Sequence, residues 1–340
     1  MSTRAKQILR LFLRLSIAVV LLAWVFAEVD FAQFRRTVAA ARWEYLAGVW
    51  AATALFYWVQ SVSLQCALRK QGCAISLHGI FGASAVTSLY SLILPGLLSS
   101  GVKWYILKRA TGKGTNALSS MLYNQLTLTI IMLAVGLVGL IVTNPTRILF
   151  PEAQRTWVLP LVCGLALAGL ALVSVLIVNE RTGGAALRTL AEALKCLPRR
   201  PREKGREILA QIAVFQSAGW RFHLTIGLVN LSDGLLVGLL MYFFAARAAA
   251  VVVPLGVLVW LCAIVFALGK IPISIANLGV REVTLVALLA GYGVSKPQAL
   301  LMSMILFSSL IFMAGLGVLY QLAWALQSRK PAPAEPGHLS

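Results

Sequence analysis

Residues 116–143 run for 28 positions without a charged side chain, and 157–178 run for another 22. A helix rises about 1.5 Å per residue, so roughly 20 apolar residues cross the hydrocarbon core of a bilayer. Further apolar segments lie at about 11–28, 45–67, 79–94, 223–245, 251–268, 281–294 and 298–326. The runs are continuous rather than alternating, which argues for helices and against a β-barrel. Charged residues make up 12% of the chain, about half the usual share in a soluble domain. Too few charges remain to cover a soluble surface, and hydrophobicity is too high for disorder. The expected fold class is an all-α polytopic membrane protein with six to eight transmembrane helices.

The whole of 1–328 reads as a single integral membrane domain. Its first half is 1–178, a basic loop occupies 179–222, the second half is 223–328, and 329–340 is expected to be a disordered tail. Arg4, Lys6, Arg10 and Arg14 precede or enter the first apolar run. No clean small-residue cleavage site follows, so 11–28 is read as a retained helix rather than a signal peptide.

Three of the apolar segments are short, and all three flank an interruption. The first reads Leu94-Pro95-Gly96-Leu97-Leu98-Ser99-Ser100-Gly101-Val102-Lys103-Trp104. The second reads Ile271-Pro272-Ile273-Ser274-Ile275-Ala276-Asn277-Leu278-Gly279-Val280-Arg281-Glu282. Each begins apolar-Pro, passes through small and polar residues, and ends Gly-Val-base. Each is preceded by a long span and a short helix, and followed by a short helix and a long span. This is a weak internal repeat. Proline removes a helix hydrogen bond and glycine permits a sharp turn, so Pro95, Gly96, Gly101, Pro272 and Gly279 are helix-break positions. Non-helical backbone at membrane depth must be buried in protein or line a wet cavity. Paired broken helices in two halves point to a transporter-like binding site.

Thirty Lys and Arg face 11 Asp and Glu, a net charge of +19. The bases sit between apolar runs, as the positive-inside rule requires, and no polar platform for nucleic acid exists. Loop 179–222 carries nine bases against four acids, which places it inside. Lys103, Lys108, Arg109 and Lys113 also belong inside, with Arg69 and Lys70. Both clusters share a side if 79–109 is a re-entrant hairpin. By the same pattern 251–294 is a hairpin from the other face, leaving six crossings, both termini cytoplasmic and the repeats inverted. Arg35, Arg36 and Arg42 fall outside in this arrangement, against the rule. An eight-span arrangement, with both hairpins opened into crossings, is the rival.

Charge at membrane depth needs a reason. Asp233 lies about eleven residues into the span from 223, near Asn230 and Ser232. It is either a substrate or proton contact or a structural ion pair with Lys270, Lys103 or Arg281. Lys103, Lys270, Arg281 and Glu282 flank the breaks, with Asn277 inside the second. Lys103 and Arg281 suit a phosphate-bearing headgroup, while interfacial snorkelling is the plainer account of such bases. The polar residues of 124–129 and 60–65 read first as interhelical hydrogen bonding. Cys66, Cys73, Cys163, Cys196 and Cys262 form no CxxC pattern, and the three histidines are far apart. Neither a disulfide framework nor a metal site is expected. No catalytic motif or cofactor fingerprint is present, so no catalytic residue and no cofactor are assigned and no enzyme is expected.

The stretch from Pro272 to Glu282, with Ser274, Gly279, Val280 and Arg281, resembles the second motif of one family. That family is the flippase-like transmembrane domain of the lysylphosphatidylglycerol synthases, which also occurs as free-standing proteins. Pro95, Gly96, Ser99, Ser100, Gly101 and Lys103 resemble its first motif, and the likeness spans about 11–326. Ala276-Asn277 stand where the family often has glycines, and Leu97-Leu98 lack its common Gly-Gly pair. The 340 residues contain no lysyl-transferring domain, so lipid aminoacylation by this chain is not expected. The resemblance implies movement of an amphiphile between leaflets of the inner membrane: a phospholipid or a polyprenyl-phosphate-linked sugar, with Asp233 the one plausible proton carrier. The alternatives are an integral-membrane transferase, an accessory subunit recruiting a pathway enzyme through 179–222, and a small-solute transporter. Homo-oligomerisation is compatible with each.

Overall fold

The computed structural model describes residues 30–94, 96–149, 152, 154–178, 203, 214–270 and 278–327. The expected first helix, most of loop 179–222, Pro95, residues 271–277 (with Pro272 and Asn277) and the tail lie outside the described residues.

Every regular element among the described residues is helical. They are α1 (Phe31–Ala39), α2 (Glu44–Lys70), α3 (Leu77–Ser91), α4 (Gly96–Thr111), α5 (Gly114–Thr143), the single turn α6 (Thr146–Leu149) and α7 (Val158–Val178). After loop 179–222 come α8 (Trp220–Leu231), a π-helical turn (Ser232–Val237), α9 (Gly238–Ala248), α10 (Leu255–Leu268), α11 (Val280–Ala290) and α12 (Lys296–Gln327). Four helices among the described residues are long and apolar enough to cross a membrane: Gly114–Thr143, Val158–Val175, Trp220–Ala248 and Lys296–Gln327. The 27-residue α2 matches them in length.

Helix ends follow local chemistry. α3 stops at Ser91, short of the expected residue 94, because a residue preceding proline avoids the helical region. α10 starts at Leu255, directly after Pro254, rather than at 251. α11 ends at Ala290, short of 294, because Gly293 turns at φ +74°. α1 was not expected from the sequence. Asp30 caps it by accepting from the backbone N–H groups of Ala32 (2.8 Å) and Gln33 (3.2 Å). Arg35 and Arg36 face outward, while Phe34 and Val38 pack on the core beside α12.

Polarity is distributed opposite to that of a soluble protein. On α7, Leu165 (66%), Leu172 (60%) and Val175 (62%) are exposed, whereas Asn230 and Asp233 on the α8 side and Ser303 on α12 are fully buried. Apolar groups outward and polar groups inward suit lipid as the solvent.

The two halves interlock reciprocally. The short α3 of the first half packs chiefly on α12, the last long helix of the second. The short α10 of the second half packs chiefly on α5, the last long helix of the first. The leading long helices, α2 and the continuous Trp220–Ala248 helix, pack on each other, chiefly through α9. Glycine makes both cross-contacts possible. A Cβ on Gly317 of α12 would collide with the carbonyl of Ala85 on α3, and one on Gly136 of α5 would lie 2.6 Å from Cβ of Ala263 on α10. Such small-residue seams are how helices approach closely in membranes, where lipid supplies no hydrophobic driving force between them.

Candidate functional site

The second break delivers Gly279, Arg281 and Glu282 to the centre of the assembly. Gly279 sits at φ +83°, a conformation that side-chain-bearing residues avoid, and it starts α11. Three residues on, the Glu282 carboxylate turns back and accepts from the Gly279 N–H at 2.7 Å, which satisfies an otherwise orphaned donor of the helix start. Its other oxygen accepts from Arg281 Nη2 at 2.6 Å and from the Ser303 hydroxyl of α12 at 2.8 Å. Arg281 Nε lies 2.7 Å from that same Ser303 oxygen, and the guanidinium lies over the Phe307 ring at 5.3 Å. Glu282 is thus fully committed. Arg281 has five N–H donors, of which two are used, so its remaining edge faces the adjoining cavity.

That cavity, about 400 Å³, lies between the halves. Its wall includes Tyr57, Gln60, Gln125, Tyr242, Lys270 and Arg281. A second cavity of about 200 Å³ shares Tyr57, Gln60 and Gln125 with it and holds Lys103. The two therefore adjoin across a common polar wall. Neither Lys103 nor Lys270 has a carboxylate within bridging distance among the described residues. Lys270 Nζ sits 4.3 Å from the centre of the Phe266 ring. Two uncompensated cations in a membrane-embedded cavity favour an anion.

The second polar wall comes from α3. Ser84 and Ser91 donate their hydroxyls to carbonyls of their own helix, at 3.0 and 2.7 Å, and the Ser88 hydroxyl lies 3.2 Å from both the Ser84 carbonyl and the Tyr57 hydroxyl. Each oxygen thereby keeps acceptor capacity toward the Lys103 cavity. Sequence reasoning missed this wall, although Ser84, Ser88 and Ser91 recur at helical spacing in an apolar segment. It also missed Ser303 and Tyr57. Of the expected polar clusters, Asn124 does make the plain interhelical bond, accepting from Ser63 at 2.6 Å. Gln60 and Gln125 do not; both amides face the cavities.

Asp233 and Asn230 stand apart. Both are fully buried, on one face of the helix, at and just before the π-turn. Both carboxylate oxygens of Asp233 and both amide atoms of Asn230 lack any hydrogen-bond partner. The ion pair with Lys270, Lys103 or Arg281 that the sequence allowed is not formed: Arg281 pairs with Glu282 instead. Asp233 lines neither cavity; Tyr57 and Cys262, which do line the larger one, lie within its electrostatic reach. Of the break glycines, Gly96 starts α4 and Gly101 lies within it with open space around it.

Inward polar groups, an outward apolar surface and interlocked short helices around central cavities define a multi-pass α-helical membrane protein with an intramembrane polar site. Residues 11–318 match the family described as the lysylphosphatidylglycerol synthase TM region, and the chain belongs to that family. No curated protein and no solved structure matches the chain.

Proposed function

We propose that the protein moves a lipid with a phosphate-bearing head between the leaflets of the bacterial inner membrane. The lipid is a phospholipid or a polyprenyl-phosphate-linked sugar. The observation that carries this reading is the pair of adjoining cavities in which Lys103 and Lys270 have no counter-charge. A headgroup supplies that charge, with Gln60, Gln125 and the free edge of Arg281 as further donors, while the tail stays in lipid. The family supports a lipid-related role. The reciprocal packing of α3 and α10 supports inverted repeats, with 79–109 and 251–294 as re-entrant hairpins and both termini cytoplasmic. A transferase acting on a lipid carrier draws less support, because Glu282 is consumed by Arg281, Ser303 and Gly279 and is not free to act as an acid or base.

The test is leaflet exchange of labelled lipids in proteoliposomes. Wild type should exchange phosphate-bearing lipids, and Lys103→Ala or Lys270→Ala should each slow exchange about tenfold, the worth of one charged hydrogen bond. Folded variants that exchange lipid at the wild-type rate would overturn the assignment. Absence of exchange by the wild type for phosphatidylglycerol and for a polyprenyl-phosphate sugar would overturn the function itself.

A further inference from the structure

We infer that Asp233 is a proton site linked to the cavity, so that an anionic headgroup binds to the form of the protein in which Asp233 carries its proton. The inference rests on the headgroup reading above and adds an energy source to it.

A buried carboxylate is normally hydrogen-bonded or paired. Asp233 is neither: it is fully buried and both oxygens are unpartnered, beside an Asn230 amide in the same condition. The groups facing it carry no compensating charge. From α2 comes Tyr57, from α10 Cys262 and from α5 Met132, whose sulfur lies against Gly234. On α9, Tyr242 faces Cys262 and Arg281. No cation among the described residues lies at bridging distance from Asp233. The desolvation of an unpaired carboxylate is prohibitive, so in this arrangement the side chain is the neutral acid. The π-turn places it there: the Gly238 N–H bonds to the Asp233 carbonyl, five residues back, which widens the helix at this point.

Ionisation of Asp233 requires a counter-charge, and the cavity lysines are cations without a carboxylate partner among the described residues. Lys270 and Lys103 cannot both neutralise Asp233 and hold a headgroup phosphate. The anionic headgroup and the ionised carboxylate therefore compete for the same ammonium groups. A bound headgroup leaves Asp233 protonated; a released proton draws a lysine away and weakens the headgroup site. The proton enters from water through the cavity and leaves by the same route, and no other species changes.

The test is calorimetric titration of the full-length protein in nanodiscs with dioctanoyl phosphatidylglycerol, across pH and in buffers of different ionisation enthalpy. Wild type should bind without proton uptake where ligand-free Asp233 is neutral, and should take up close to one proton per lipid at higher pH, where affinity falls about tenfold per pH unit. Asp233→Asn, a permanent mimic of the neutral acid, should bind with no proton uptake and no pH slope. Wild-type binding without proton uptake at any pH would overturn the inference, as would an Asp233→Asn variant that keeps the slope, or a dependence on sodium in place of pH. Infrared spectroscopy of the ligand-free wild type supplies a reading that needs neither lipid nor variant. A carboxylic-acid carbonyl band at neutral pH that Asp233→Asn removes supports the proton site, and its absence overturns it. If the band is present and no lipid binds at any pH, the headgroup reading fails and the coupling falls with it, while the proton site stands.

Discussion

Glu282 and Asp233 are both acids sealed inside the helical assembly, at 4% and 0% exposure, yet their surroundings are opposite. Glu282 accepts from a backbone N–H, a guanidinium and a hydroxyl. Asp233 accepts from nothing. Burial alone therefore does not identify function. A satisfied buried charge holds elements in place, here α11 against α12 and against its own start. An unsatisfied one is kept at a cost to stability, and that cost marks it as the better candidate for a group that changes state during work.

The largest expected effect breaks the satisfied site. Glu282→Ala leaves Arg281 charged and unpaired and opens the start of α11, and should cost about 3–5 kcal/mol, read by denaturant unfolding in detergent. A loss comparable to that of an ordinary surface substitution would show that the network does not hold the break. Ser303→Ala removes the bridge between Arg281 and Glu282 but keeps the pair, and about 1.5–3 kcal/mol is expected in the same assay. Asp233→Asn should change stability less than either, by under about 1 kcal/mol, because a neutral amide replaces a neutral acid that made no bond. A loss above that range would show that Asp233 has a partner in the folded protein and would erase the contrast. Lys103→Met sharpens the comparison from the other side. It should leave stability within about 0.5 kcal/mol while exchange slows, since no protein group depends on the ammonium.

Much of the architecture was legible in advance because the bilayer imposes length and apolarity on any helix that crosses it. The spans 116–143 and 157–178 fall within a residue or two of α5 and α7, and Gly279 does stand at the start of α11. α1 was not legible, for a nine-residue helix with two arginines carries no span-like signal and owes its order to the Asp30 cap and to Phe34 on the core. At the site, Arg281 and Glu282 were placed together, but their mutual commitment was not: it depends on Ser303, an ordinary serine in an apolar helix until α12 folds against the break. Asp233 was noticed because charge is rare at that depth. Its lack of partners could not be read from sequence, since Lys270, Lys103 and Arg281 were all available until tertiary packing assigned Arg281 elsewhere.

The reciprocal packing of α3 and α12 has a consequence for how the chain is made. Roughly 200 residues separate the two helices, so at 5–20 residues per second α3 leaves the ribosome about 10–40 s before its principal partner exists. Throughout that interval Gly82 and the Ala85 backbone have no α12 to lie against. The nascent first half is therefore a client for insertion machinery that can shelter an unpacked helix face. A chain truncated before Lys296 would be destined for quality control rather than for half a function.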